Sequence, residues 1–175
     1  MSDDPDLVER ARRDSEAFAA LYREYLPRVY RYLFRRVGSI PDAEDLTAQV
    51  FTEALEGLLK NRFRAGGCFP AWLFSIARRR AADFYRQRPT DPLEDSPSPE
   101  PGLLAVVEKA DDLGRLARLL AQLDEHKQEL LRLRYAAGLR FAEIALLDGR
   151  SEAAIKMEVY RALDFLREHW EAENG

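Results

Sequence analysis

Fifteen residues, RPTDPLEDSPSPEPG at 88–102, constrain the fold of this chain more than any other stretch. Five of them are proline (89, 92, 97, 99 and 101) and four are acidic (91, 94, 95 and 100). Each proline removes a backbone donor and fixes its own φ, so no helix or central strand can run through the segment. The acids repel one another and favour an extended course. A linker is therefore expected at 89–105, with separate units at 1–88 and 106–175. A length of 175 residues accommodates two small units of this kind.

Both units read as helical, and no stretch shows the strict alternation of a strand, so the expected fold class is all-α. In the first unit, Phe18, Leu21, Tyr22, Tyr25, Val29, Tyr32, Leu33 and Val37 recur at helical spacing. Asp14 or Ser15 is available as the cap, and Pro27 is expected to kink or split this helix. Ser39-Ile-Pro-Asp42 signals the start of a second helix reaching about Lys60, with Ala43, Leu46, Val50, Ala54 and Leu58 inward. Gly66-Gly67 places 61–70 in a loop. A third helix begins near Phe69 and lays Phe69, Leu73, Ile76, Ala77 and Phe84 along a core stripe. In the second unit, Lys127 to Tyr135 predicts a helix that Gly138 ends. A short helix at 140–147, a turn at Asp148-Gly149 and a Ser151-capped helix burying Ile155, Val159, Ala162 and Leu166 follow. With the small Ala145 near the crossing, this is helix-turn-helix spacing.

Composition narrows the function. The net charge of −4 is divided unevenly, +3 over residues 1–88 and −7 over 89–175, which points to two parts with different partners. No apolar run approaches the ~20 residues needed to cross a bilayer. The opening MSDDPDLVERARR has no apolar segment that reads as a secretory signal, so a cytoplasmic protein without membrane association is expected. A lone Cys68 forms no disulfide within the chain, and His126 and His169 offer no metal-ligand cluster. Neither a glycine-rich phosphate loop nor a nucleophile–base set occurs, so no cofactor, metal or enzymatic activity is expected.

The third helix carries the first functional signal. FPAWLFSIARRRAADFYRQR, 69–88, holds five arginines and five aromatics, with Asp83 its only acid. Arg80 is expected to pair with Asp83, three residues on. Phe74, Arg78 and Tyr85 are expected on an exposed face opposite the core stripe. Aromatic faces and cations together suit an unpaired nucleic-acid strand, whose bases stack and whose phosphates need counter-charge. The bland alternative is a solvated charged face. In the second unit, the second helix of the helix-turn-helix would enter the major groove and offer Arg150, Glu152, Lys156, Tyr160 and Arg161; an ordinary helical hairpin is the alternative there.

Four motifs in order resemble those of bacterial RNA polymerase sigma factors of the extracytoplasmic-function (ECF) group. FAALYREYLPRVYRYLFRRV is similar to the start of the family's region two. DAEDLTAQVFTEAL (42–55) is similar to its polymerase-clamp motif. FRAGGCFPAWLFSIARRRAADFYRQR is similar to its promoter-melting segment, and 123–163 to its region four. The resemblance implies a transcription initiation factor that binds core RNA polymerase and opens specific promoters. It implies that Lys60, Arg62, Phe63 and Arg64 on the loop, with Phe74, Arg78, Arg79, Tyr85 and Arg86 on the helix, hold the opened minus-ten strand. Asp42, Asp45, Gln49, Thr52 and Glu53 would meet the beta-prime clamp helices. Arg140, Arg150, Ser151, Lys156, Tyr160 and Arg161 would serve minus-thirty-five recognition in a unit that also meets the beta flap, and an anti-sigma factor joins the candidate partners. Glu158 stands where the family usually has a second basic residue, so either phosphate contact there is weak or Glu158 accepts from a cytosine amino group. Two other classes remain open on the residues alone: a helix-turn-helix regulator that occupies operators unaided, and a helical partner-binding protein.

Overall fold

The computed structural model describes residues 5–64, 66–87 and 105–172. The order of elements is α1 (Pro5–Arg10), α2 (Ser15–Val37), α3 (Ile40–Leu59), α4 (Phe69–Gln87), α5 (Ala105–Ala121), α6 (Glu125–Leu131), a π turn (Arg132–Ala136), α7 (Phe141–Asp148) and α8 (Glu152–Ala172). Among the described residues there is no strand. The proline-rich stretch 88–102 lies outside them.

In the first unit α2, α3 and α4 pack pairwise, with α1 laid against α2. Asp14 caps α2 by accepting from the Glu16 amide at 2.9 Å, and Ser39 caps α3. These bonds satisfy amides that the first turn of a helix leaves without partners. Pro27 neither splits nor ends α2, which is continuous through it. Tyr25 and Val29 on either side of it are both buried, as are Leu21, Tyr32 and Leu33. Burial of that many large side chains outweighs the ~3 kcal/mol that an interior proline costs. Gly57 shows how closely α3 and α4 approach: a Cβ there would lie 2.7 Å from Cζ2 of Trp72.

In the second unit Asp124 caps α6, accepting from the Lys127 amide at 2.9 Å. The expected helix from Lys127 to Tyr135 is not α-helical throughout. It widens into the π turn, and the Ala137 amide donates to the Arg132 carbonyl, five residues back, at 3.0 Å. Gly138, at φ 67°, then reverses the chain into α7. Gly149, at φ 72°, ends α7, and Ser151 Oγ accepts from the Ala154 amide at 3.2 Å to start α8. Both glycines hold the left-handed conformation that a side chain disfavours. Ile155, Val159 and Ala162 are buried as expected, while Leu166 is half-buried.

The two units share one continuous core. α2 lies against the π turn and α4 against α7, and buried residues of both units belong to a single apolar cluster.

Candidate nucleic-acid interface

Only part of α4 faces solvent. Leu73, Phe74, Ile76, Ala77 and Ala81 are buried. Phe74, expected on an exposed face, is 0% exposed and meets the Tyr32 ring edge-on at 5.7 Å. The reason is that α4 is covered by α3, α2 and α7 together, so its buried arc is wider than one stripe. Phe63 is likewise withdrawn from solvent. It packs on Phe69 and Trp72, centroids 5.7 and 5.2 Å away, and pins the loop before α4 to the core. Arg12 holds the same loop from outside, donating to the Phe63 carbonyl at 2.6 Å and to the Asn61 side chain. Neither aromatic presents a free face for stacking in this arrangement; Tyr85, 42% exposed, is the aromatic of the set that reaches solvent.

The cations of α4 take their partners from elsewhere in the fold. Arg79 and Arg80 both bind Glu53 of α3, Arg80 through Nε and Nη2 at 2.8 and 2.7 Å. The expected Arg80–Asp83 pair does not form, because Asp83 is taken by Arg86. Arg78 lies 3.9 Å from Glu129 and 3.7 Å from Asp148 of the second unit. Tyr85 donates its hydroxyl to the Arg36 carbonyl and lies under the Arg36 guanidinium, 5.7 Å from the ring centroid. Lys60 pairs with Glu56 at 3.0 Å, while Arg62 and Arg64 are exposed on the loop. Ala48, Gln49, Thr52, Glu53, Glu56, Arg62 and Arg80 line an open polar cleft of about 380 Å³ between α3, the loop and α4.

On α3, Asp45 and Thr52 are exposed, and Gln49 donates to Asp45 at 2.7 Å. Asp42 sits in the first turn. Glu53 departs from that face, being turned toward α4 and half-buried.

In the helix-turn-helix, Arg150, Glu152, Lys156, Tyr160 and Arg161 are all exposed at the start of α8. Lys156 pairs with Glu152 at 3.0 Å and lies 5.7 Å from the Phe141 ring, which Tyr160 also touches. The Arg140 amide donates to the buried Glu143 carboxylate at 2.6 Å, and the Arg140 side chain binds the same group. Glu158 does not project into solvent. It accepts from Arg150 and stands 2.9 Å from Nδ1 of His126, whose Nε2 meets Asp148 at 3.1 Å. Burial pulls the His126 pKa down, but Glu158 and Asp148 outweigh it and the net direction is up. For Glu158, burial pushes up while His126 and Arg150 pull harder, and the carboxyl sits below its ordinary value. Among the described residues no group of three or more His, Cys, Asp or Glu side chains is placed to hold a metal ion, and no helix is long and apolar enough to cross a membrane.

Comparison with known proteins places this geometry. Residues 21–89 match the family model of Sigma-70 region 2, and residues 113–166 match that of Sigma-70, region 4. The chain is 37% identical over 169 residues to the ECF RNA polymerase sigma factor BldN of Streptomyces coelicolor, covering 90% of this chain and 62% of that protein. It is 32% identical over 168 residues to the ECF RNA polymerase sigma factor RpoE of Cereibacter sphaeroides, covering 91% and 90%.

The chain belongs to the ECF group of RNA polymerase sigma factors.

Its fold is that of CnrH, solved in complex with the cytosolic domain of CnrY: the TM-score is 0.71 at 24% identity over 97% of each chain. Sigma factors are transcription initiation factors, which sets aside the regulator that acts unaided. In this sigma factor α2 to α4 make up the body of region two, and α6, α7 and most of α8 lie within region four. Sequence reasoning missed Arg12, Arg28, Arg36 and Glu129, all of which contact a separate part of the fold. The signal for the last three was present only as the opposite charge of the two halves.

Proposed function

We propose that this sigma factor seats on core RNA polymerase through the exposed face of α3, with Asp42, Asp45, Gln49 and Thr52 meeting the beta-prime clamp helices. The 60–68 loop and α4 then hold the opened minus-ten strand. Lys60, Arg62, Arg64 and Arg86 supply counter-charge to phosphates, and Tyr85 supplies a ring for a base. Phe63 and Phe74 contribute from the core by fixing the loop and the helix. Glu53 acts as a positioning residue that aligns Arg79 and Arg80 beside the polar cleft, which is roomy enough for an unpaired base. The start of α8 reads the minus-thirty-five element with Lys156, Tyr160 and Arg161, flanked by Arg140, Arg150 and Ser151, and the same unit meets the beta flap. No step of this work is enzymatic on the chain's own part, and it takes place in the cytoplasm with the polymerase. The co-crystal structure of the sigma factor RpoE with the anti-sigma factor NepR from Bartonella quintana supports an anti-sigma partner for this chain as well.

The observation that carries this reading is the pairing, in one chain, of a region-two body with an exposed cationic loop and a region-four helix-turn-helix. Transcription in vitro tests it, with core polymerase, this chain and a pool of genomic promoter fragments. New start sites should appear only when the chain is present. Arg86→Ala should lower open-complex formation, read by permanganate reactivity, by about tenfold, the equivalent of ~1.4 kcal/mol, while polymerase association stays near wild type. Equal loss in both assays would assign Arg86 to folding.

A further inference from the structure

The turn that follows α1 reaches the loop assigned to the opened strand. Val8 and Ala11 anchor this turn in the core, and Arg12 lies against the end of α3 with its side chain only 10% exposed. Its guanidinium is shared among partners. Nε lies 3.0 Å from Glu9, Nη1 donates to the Asn61 side-chain oxygen, and Nη2 donates to the Phe63 carbonyl at 2.6 Å. The two loop contacts straddle Arg62. A planar fork grips two acceptors in fixed directions, which a single ammonium does not.

Asn61 does two jobs at this point. At φ 53° it is, among the described residues, the one non-glycine with a left-handed backbone. Its amide donates to the Leu58 carbonyl at 3.1 Å, and the Arg62 amide donates to the Gly57 carbonyl at 2.7 Å. That pair of bonds closes a helix through a left-handed residue, a place glycine fills most easily. Asparagine tolerates the conformation and adds what glycine lacks, an oxygen for Arg12. On the other side of Arg62, Phe63 is buried against Phe69 and Trp72. Arg62 thus stands exposed between two fastened neighbours, on the wall of the polar cleft that Gln49, Thr52, Glu53 and Arg80 also line. Ordering the loop before a strand arrives removes that cost from binding.

Resting on the strand-holding reading above, we infer that Arg12 is a positioning residue for capture of the opened minus-ten strand. It touches no nucleic acid itself. By fastening Asn61 and Phe63 it sets the loop in shape in the free chain and turns Arg62 to the cleft, so that an unpaired strand meets a formed site. The turn after α1 thereby belongs to the promoter-opening apparatus, although it precedes residues 21–89, which match region two.

The test uses the full chain on core polymerase and a labelled forked oligonucleotide from a promoter mapped by the transcription assay above, with its minus-ten nontemplate strand unpaired. Arg12→Lys keeps the charge and removes the fork. It should weaken binding of the oligonucleotide about tenfold, while association with the polymerase stays at the wild-type level. In a chain already carrying Arg62→Ala the same change should cost less than about twofold, because residues that act through one another are not additive. Equal cost in the two backgrounds would overturn the inference. Asn61→Gly provides a second arm should Arg12→Lys fail to fold. It keeps the left-handed helix end and deletes only the acceptor, so binding should weaken about threefold with a Tm near wild type. Wild-type binding in that variant, or a loss of binding matched by a loss of stability, would also overturn the inference. Hydrogen exchange at the Asn61 and Arg62 amides reads the clamp in the free chain. Faster exchange is expected in Arg12→Lys, and an unchanged rate would refute the clamp. Arg62→Ala binding as tightly as wild type would instead refute the strand contact itself, and the inference with it, whereas the exchange result judges the clamp alone.

Discussion

Replacing Tyr32 with phenylalanine removes one oxygen from the most deeply set contact between the two units. The Tyr32 side chain is 0% exposed, and its hydroxyl gives Glu129 a 2.6 Å hydrogen bond. A hydrogen bond to a charged group contributes about 1.5–3 kcal/mol. Glu129 would keep Arg132 at 3.0 Å, so its carboxylate is not orphaned and the lower end, about 1.5 kcal/mol, is expected. For a chain of this size that corresponds to a fall in Tm of about 3–6 °C. Calorimetry and urea unfolding at neutral pH measure it. The alkaline limb offers an independent check. Burial, followed by the charge and hydrogen bond of Glu129, holds the Tyr32 phenol well above its ordinary value, despite Arg36 and Arg78. The folded state thus favours the neutral phenol. Its contribution is complete below about pH 10, the unfolded value, and is lost as pH rises through the higher folded one. Tyr32→Phe should remove that part of the alkaline decline. A variant within about 0.5 kcal/mol of wild type would refute the argument that this bond ties α2 to α6.

Two further outcomes follow from particular contacts. His126 faces Asp148 on α7 and Glu158 on α8, with Arg78 on Asp148 and Arg150 on Glu158, and its pKa is raised; its contribution is complete below about pH 6.5 and fades as pH climbs through the folded value. Thermal melts of His126→Gln should therefore converge on wild type with rising pH, and a constant offset would show that the ring's charge is not involved. At Gly57, alanine would gain ~1 kcal/mol of helix propensity but set a methyl 2.7 Å from Trp72, an overpacking that costs about 1–3 kcal/mol. A net loss of about 1 kcal/mol with altered Trp72 fluorescence is expected, and an alanine variant more stable than wild type would show that the indole moves aside freely.

The local grammar of the chain was legible. Apolar spacing located α2, α3, α4 and α8, and the capping side chains of Asp14, Ser39 and Ser151 mark where helices begin. Gly149 marks the helix-turn-helix corner. What could not be read were choices that depend on who lies next to whom. Asp83 sits three residues from both Arg80 and Arg86, and only the arrival of Glu53 from α3 decides that it takes Arg86. Phe74 looked exposed because a helix was credited with one covered side, whereas three neighbours press on α4. The division of charge between the halves was visible, but read as a sign of separate partners; in the fold the halves are also partners of one another. The Arg80–Asp83 expectation failed because i,i+3 spacing specifies proximity and not the choice among several partners within reach.

The π turn at Arg132–Ala136 amounts to one surplus residue wound into a helix. An α-helix advances ~100° per residue, so trimming that residue would rotate everything after it by more than a quarter turn. The carbonyls of Ala137 and Gly138 would then swing off Arg28, and α8 would point its reading edge in another direction. Length at this spot is thereby tied to the phase between the two halves. Side-chain chemistry can drift around it, but an insertion or deletion here would have to be answered by another further along the chain.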